Sequence, residues 1–275
     1  QQSYEDCTRQ YMELLEKQKM PLWDYVILTA SNESQAQSYR MQIQYRLDHG
    51  MLPKSIHYAV LPDPDGKRVG SGGATLNVLR YIYQDAGSFD DKRILVIHSG
   101  GDSKRVPQYS ACGKLFSPVP RLLPNGRRST LFDEFMISMC GVAARIRAGM
   151  LVCSGDVLLL FNPLQIDFYG SGAAALSIKE PAEIGKNHGV YRVDEQGNVG
   201  GFLHKKTVDQ LHELQAADEN GNVDIDTGAV IMDTDLLKAL YKLVDTPEQF
   251  DAYVNENTRL SFYADFLYPL ASQSS

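Results

Sequence analysis

Three short glycine-bearing runs hold the residues of this sequence best suited to act on an anionic substrate. In Gly100-Gly101-Asp102-Ser103-Lys104-Arg105 a glycine pair stands beside two cations, and Lys114 follows nine residues after Arg105. Exposed amides, a guanidinium and an ammonium together suit a phosphate chain. The run is not a P-loop: aligned on Gly113-Lys114, that pattern needs glycine where Gln108 stands and a hydroxyl where Leu115 stands. Nor is it a nucleophile elbow, because Ser103 is followed by Lys104-Arg105 instead of x-Gly. The second run, Gly70-Ser71-Gly72-Gly73-Ala74-Thr75, lies between a turn and a helix. Its amides can face an anion or a base edge, or its glycines can let helix and strand approach closely. Thr75 stands where a dinucleotide fingerprint needs its third glycine, which argues against NAD. In the third run, Cys153-Ser154-Gly155-Asp156, a carboxylate follows an apolar segment. It can hold a Mg²⁺ that bridges phosphate oxygens, or cap a turn.

These runs need strands and helices to bring them together. Period-3.6 patterns predict helices over residues 6–19, 31–49, 76–82, 130–147, 208–215 and 236–244. Ser129 is the expected cap of the fourth. Short apolar or alternating runs predict strands over 25–30, 56–61, 93–98, 150–153, 173–178, 189–193 and 227–232, with a hairpin turn at 195–198. Strands separated by helices indicate an α/β, doubly wound, mostly parallel sheet. Such sheets collect ligands at the carboxyl ends of their strands, where all three runs fall. Two loops with phosphate donors and one with a metal ligand in one layer suit a nucleoside triphosphate.

Charge is unevenly distributed. The chain has 27 Lys+Arg against 34 Asp+Glu, a net charge of -7, which disfavours nucleic acid as a partner. Yet residues 104–128 hold six basic side chains and no acid. Removing these six from the 27 leaves 21 against 34 elsewhere, so a +6 island sits in a -13 background. At 43% hydrophobic and 275 residues, the chain can bury one large core. No run approaches the roughly 20 apolar residues of a membrane helix, and Gln-Gln-Ser-Tyr-Glu-Asp at the start has no signal-peptide pattern. Cys7, Cys112, Cys140 and Cys153 lack metal spacing. They are expected as reduced thiols in a cytoplasmic protein, with Cys140 and Cys153 in the core.

The run Gly100-Gly101-Asp102-Ser103-Lys104-Arg105-Val106-Pro107, with Gly113-Lys114-Leu115-Phe116-Ser117-Pro118-Val119, resembles the G-G-x-G-T-R-L … P-K-P-L-x-P-V signature of sugar-nucleotide pyrophosphorylases. With His98-Ser99 in front, and with Gly70-Ser71-Gly72-Gly73-Ala74-Thr75-Leu76, Asn187-His188-Gly189-Val190 and Phe202-Leu203-His204-Lys205, it is similar to fucose-1-phosphate guanylyltransferases. These include the N-terminal halves of bifunctional fucokinase/guanylyltransferases. The likeness runs from Trp23 to Leu270. Ser103-Lys104 replaces the Gly-Thr of the general signature, Gly113 replaces a proline, and Lys206 stands where the family more often has proline.

The resemblance implies a Rossmann-like nucleotidyltransferase core. Its strand order is expected to be permuted, because the Gly70 run precedes the Gly100 run. Residues 1–275 are expected to form one catalytic domain, a fragment of a longer protein with a C-terminal β-helix and kinase domain beyond. The implied reaction joins GTP and fucose 1-phosphate, with Mg²⁺ and no nucleic acid or membrane partner. Residue by residue, Gly70, Gly72, Gly73 and Thr75 would touch the guanine side. Gly100, Gly101 and Ser103 would cradle the triphosphate, with Arg105 and Lys114 as the catalytic cations. Asp156, with Asp265 as a second candidate, would hold the metal. His188, Gly189, Lys205, Asp226, Thr227 and Gly228 would form the sugar-phosphate side. A nucleotide-binding fragment without turnover, or a pyrophosphorylase for another sugar 1-phosphate, is the alternative; a kinase activity would lie outside this chain, which has no kinase-type phosphate loop.

Overall fold

Tyr25-Val26-Ile27-Leu28-Thr29-Ala30 has no polar alternation because neither face of that strand meets water. In the computed structural model, which describes residues 2–17, 22–99, 114–155, 172–267 and 269–270, all six are buried. The elements begin with α1 (Gln2–Lys17), β1 (Tyr25–Ala30), α2 (Glu33–Asp48), β2 (His57–Pro62), α3 (Gly70–Ala86) and β3 (Arg93–His98). The middle of the chain forms β4 (Pro118–Leu122), β5 (Arg128–Thr130), α4 (Leu131–Cys140), β6 (Gly149–Ser154), β7 (Ala173–Pro181), α5 (Ala182–Gly185), β8 (Gly189–Val193) and β9 (Val199–His204). Then come α6 (Val208–Glu213), β10 (Asn222–Met232), α7 (Thr234–Tyr241), α8 (Pro247–Tyr253) and a π-helical turn, Phe262–Leu267.

Eight of the described strands make one sheet in the order β2-β1-β3-β6-β10-β8-β9, with β7 also on β10. Strands β2, at one edge, β1, β3 and β6 are all parallel, and β10 continues the sheet antiparallel to β6. This is the α/β class with the parallel centre that the alternation of patterns implied. The strand leading to Gly100 is third in the chain yet central in the sheet, as permuted wiring expects. Both faces of a parallel sheet must be covered. Leu28, Ile97 and Cys153 pack with Leu14, Tyr39 and Phe135 of α1, α2 and α4 on one side. Ile27, Val96 and Val152 pack with Leu79, Leu237 and Phe250 of α3, α7 and α8 on the other.

Several boundaries differ from expectation. Thr130, not Ser129, caps α4: its side chain and Asp133 form a reciprocal capping box. Ser129 is buried and donates to Glu134 Oε1 at 2.9 Å instead. Helix α4 stops at Cys140, and a short 3₁₀ turn, Ala143–Arg145, takes up what periodicity assigned to one long helix. Strand β10 starts at Asn222, because Val223 and Ile225 point into the small core under α5 and α6 while Asp224 and Asp226 face outward. A bidentate pair joins α2 to α4, with Arg46 Nε 2.8 Å from Asp133 Oδ1 and Nη2 3.1 Å from Oδ2. The guanidinium also lies over the rings of Phe116 and Phe132. Cys7, Cys140 and Cys153 are free and buried, the last two as expected, and burial pushes Cys140 up to about 12; Cys112 lies outside the described residues. Among those residues no helix is long and apolar enough to cross a membrane.

Candidate active site at the strand ends

Sheet register lines up one row of residues at the carboxyl ends of the parallel strands. Thr29 of β1 pairs with His98 of β3, and His98 with Ser154 of β6. Strand β10 pairs with β6 from Val230↔Val152, two residues after Gly228. Strands β1, β3, β6 and β10 are neighbours in that order, so three inter-strand spacings, about 14 Å, separate β1 from β10.

His98 ties the first half of this row together. Thr75 Oγ1 donates to the Ser71 carbonyl at 2.8 Å, so it accepts from His98 Nε2 at 3.0 Å. That leaves Nδ1 to accept from the Thr29 hydroxyl, also at 3.0 Å. Burial pulls His98 down to about 4, so the neutral ring that these partners require is the stable form at neutral pH. The hydroxyl of Ser99 donates to the Thr29 carbonyl. The first turn of α3 is thus held against β1 and β3.

A cavity of about 310 Å³ opens beside this junction, with Ser31, Asp63, Arg68, Gly70, Ser71 and Arg259 among its walls. The run 70–75 is not a loop: α3 begins at Gly70 itself. Gly70 has φ +78, and a Cβ there would collide with the Leu260 carbonyl oxygen. Gly72 N–H donates to that oxygen at 2.7 Å, and Phe262 N–H donates to Ser71 Oγ at 2.9 Å. These contacts bring Arg259 to the cavity rim. Asp63 is half-buried where β2 ends. Its N–H donates to the Ala30 carbonyl at 2.8 Å, and its carboxylate accepts from the Val69 N–H. Burial pushes Asp63 up to about 6, against the opposing pull of that N–H and of Arg68.

The far half of the row holds the six residues assigned to the sugar side, and the fold does bring them together. Gly189 pairs with His204, and Lys205 N–H reaches the His188 carbonyl at 3.4 Å. The β8–β10 register, Ile225↔Val190, continues to set Asp226 opposite Gly189. Strand β10 bulges between Asp226 and Ala229, and Thr227 closes the bulge by donating to the Leu176 carbonyl at 2.6 Å. Asp226 Oδ1 accepts from Tyr191 Oη and from Gly228 N–H, each at 2.8 Å. His188 and Lys205 are exposed. Gly189 is a glycine because a Cβ there would strike the Phe202 ring.

Residues 86–275 match the family model for the fucose pyrophosphorylase domain. The chain belongs to that family. It is 32% identical over 248 residues to a bifunctional fucokinase/GDP-fucose pyrophosphorylase of Arabidopsis thaliana, covering 77% of this chain and 23% of that protein. It is 30% identical over 280 residues to a fucose-1-phosphate guanylyltransferase of Mus musculus, covering 90% of this chain and 46% of that one. The chain spans less than half the length of these relatives. Among solved structures, HddC from Yersinia pseudotuberculosis aligns with a TM-score of 0.41 at 14% identity, covering 94% of this chain and 70% of that one.

The matched span starts at α3's last residue, Ala86, so Asp63, Gly70 and Thr75 precede it. Of the residues that sequence assigned to the nucleotide, Gly70 lines the cavity described above. A side chain on Gly72 or Gly73 would meet Leu260 or Val69, and Thr75 is fully buried behind His98. Gly100, Gly101, Ser103, Arg105 and Asp156 lie outside the described residues. The segments that carry them leave from Ser99 and Gly155, which stand side by side: Gly155 N–H donates to the His98 carbonyl at 2.7 Å. Lys114 starts a 3₁₀ turn whose Leu115 and Phe116 are buried against α4. Asp265 is exposed and accepts the Ser261 N–H at 2.6 Å, a turn-capping role. No group of three His, Cys, Asp or Glu side chains gathers among the described residues. Sequence reading passed over Asp63, His98 and Tyr191 as side chains. The one signal was position, since Asp63 and His98 each stand at a parallel-strand end.

Proposed function

We propose that this domain joins GTP to L-fucose 1-phosphate, making GDP-L-fucose and pyrophosphate. The observation that supports it best is the single row of strand ends. A nucleoside-sized cavity stands at Thr29–His98 and a polar cluster at Asp226–Gly228, and the segments bearing Arg105 and Asp156 start between them. The names of the relatives point to the same donor and acceptor.

In this reading a phosphate oxygen of the sugar phosphate attacks the α-phosphorus of GTP in line. The new P–O bond forms as the bond to the β-phosphate oxygen breaks, and pyrophosphate departs with that electron pair. The attacking phosphate is already anionic at neutral pH, so no general base is needed. The protein's task is to position two repelling anions and stabilise charge on the leaving group. Arg105 and Lys114 serve the leaving pyrophosphate. Gly100, Gly101 and Ser103 hold the triphosphate, while His188 and Lys205 face the sugar phosphate. Asp156 is the carboxylate assigned to Mg²⁺, which when bound would neutralise phosphate oxygens; Asp265 serves as the cap already described. Free buried thiols suit a cytoplasmic setting. The chain covers 23% of its bifunctional relative, and the proposal concerns the guanylyltransferase activity alone.

A pyrophosphate-release panel tests the reading, crossing GTP, ATP, UTP and CTP with fucose, mannose, glucose and N-acetylglucosamine 1-phosphates. The expected result is turnover confined to GTP with fucose 1-phosphate. Tight GTP binding without release would favour a binding fragment, and turnover with another sugar would reassign the pocket.

A further inference from the structure

We infer that the Asp63 carboxylate reads the Watson–Crick edge of guanine, accepting from its N1–H and its exocyclic amine, and so selects GTP among nucleotides. The inference rests on the guanylyltransferase reading above and names the residue that would enforce its base choice.

The argument begins with the chemistry of the cavity walls. Arg68 and Arg259 are cations, and α3 starts at Gly70–Ser71 in the same wall; cations and a helix start attract an anion. A carboxylate in the same cavity would repel a phosphate. Asp63 therefore suits a different part of the ligand, one that is uncharged and rich in donors. Of the common bases, guanine alone carries two adjacent donors on that edge. Adenine sets a bare ring nitrogen beside its amine, and uracil flanks its single N–H with carbonyls, so each would place an acceptor against one carboxylate oxygen.

Geometry holds Asp63 for this use. Its backbone is pinned by the bond to Ala30 and by Gly66 N–H donating to its carbonyl at 3.0 Å. The Val69 N–H takes one acceptor position of a carboxylate that offers about four. The others are available to a ligand in the cavity that Asp63 lines. Asp63 and Gly70 line the same cavity, so a base held by this carboxylate lies beside the start of α3.

The test measures binding of GTP, ITP, XTP, ATP and UTP to this chain and to its Asp63→Asn variant, with thermal melts to confirm folding. Asparagine keeps an acceptor for Val69 and replaces one ligand-facing acceptor by a donor. Wild type should prefer GTP over ITP, which lacks the exocyclic amine, by about 10- to 100-fold, the range of a lost contact to a base edge. Asp63→Asn should lose that preference and favour XTP, whose 2-oxo group accepts from the new amide. If folded Asp63→Asn still prefers GTP as wild type does, or weakens GTP, ITP and XTP alike, Asp63 does not read the base. If wild type itself fails to prefer GTP over ATP and UTP, both this inference and the guanylyl reading fall.

Discussion

The two ends of the strand-end row are built in opposite ways. At the end proposed for the nucleotide Thr29, His98, Thr75 and Ser71 satisfy one another inside the fold, beside the cavity. At the sugar end the groups free to meet a ligand, His188 and Lys205, are exposed on a hairpin, and only Asp226 is braced from below, by Tyr191. Lys205 even adopts φ +51, a left-handed conformation that non-glycine residues rarely occupy. A buried network polarises and rigidifies its members, whereas exposed side chains keep their rotamer freedom until they bind. The nucleotide end should therefore respond to substitution as part of the fold, and the sugar end as a surface.

The largest expected effect falls between the two ends. Arg105→Ala should slow turnover of GTP plus fucose 1-phosphate by on the order of 10²–10³, with little change in melting temperature. Steady-state kinetics within a few-fold of wild type would remove Arg105 from the mechanism.

A matched pair of glycines probes the contrast directly. A methyl at Gly70 meets main chain at Leu260 from a φ that alanine avoids, whereas one at Gly189 meets the Phe202 ring, which can turn away. Gly70→Ala should cost clearly more than the ~1 kcal/mol of an unstrained glycine exchange and weaken GTP binding. Gly189→Ala should leave GTP affinity alone and raise KM for the sugar phosphate. Equal losses of stability in thermal melts would erase the distinction between the ends.

A pair of hydroxyl deletions comes next. Thr75→Val leaves His98 Nε2–H without its acceptor and should destabilise the fold by about 1–3 kcal/mol. Tyr191→Phe removes the hydroxyl that donates to the half-buried Asp226 and should cost about 0.5–1.5 kcal/mol. Chemical denaturation that ranks them in the reverse order would contradict the comparison.

The last effect is a pH dependence at the cavity. Asp63 titrates near 6 folded against 3.8 unfolded, so folding binds its proton more tightly. The cost of keeping it charged is full above pH 6 and absent below about pH 4. Asp63→Asn should thus stabilise the ligand-free chain at pH 7 by about 1–2 kcal/mol, discounted for partial exposure, and the gain should fade as pH drops through that window. A gain independent of pH would mean that the carboxylate's charge is not what burial penalises.

Much of the frame was legible. Apolar runs such as Ile94-Leu95-Val96-Ile97 announce strands covered on both faces, and the order of glycine runs implied a permuted sheet. The end of α4 was not legible, because its apolar residues continue past Cys140 through Val142 and Ala143, which are as buried as the helix itself. Gly70 read as loop because glycine lowers helix propensity; here contact with Leu260 outweighs it.

By itself, the sequence determined the cations and carboxylates available for the chemistry, the α/β alternation that places their loops at strand ends, and the family. Only the tertiary structure decided which side chains stand free. Thr29 meets His98 across 69 residues and Thr75 meets it across 23, because parallel register and a helix crossing bring them to one point. Those encounters depend on sheet order, which local periodicity does not encode. They turn Thr75, which sequence assigned to the nucleotide, into a brace and leave Asp63, which reads as an ordinary turn residue, facing the cavity.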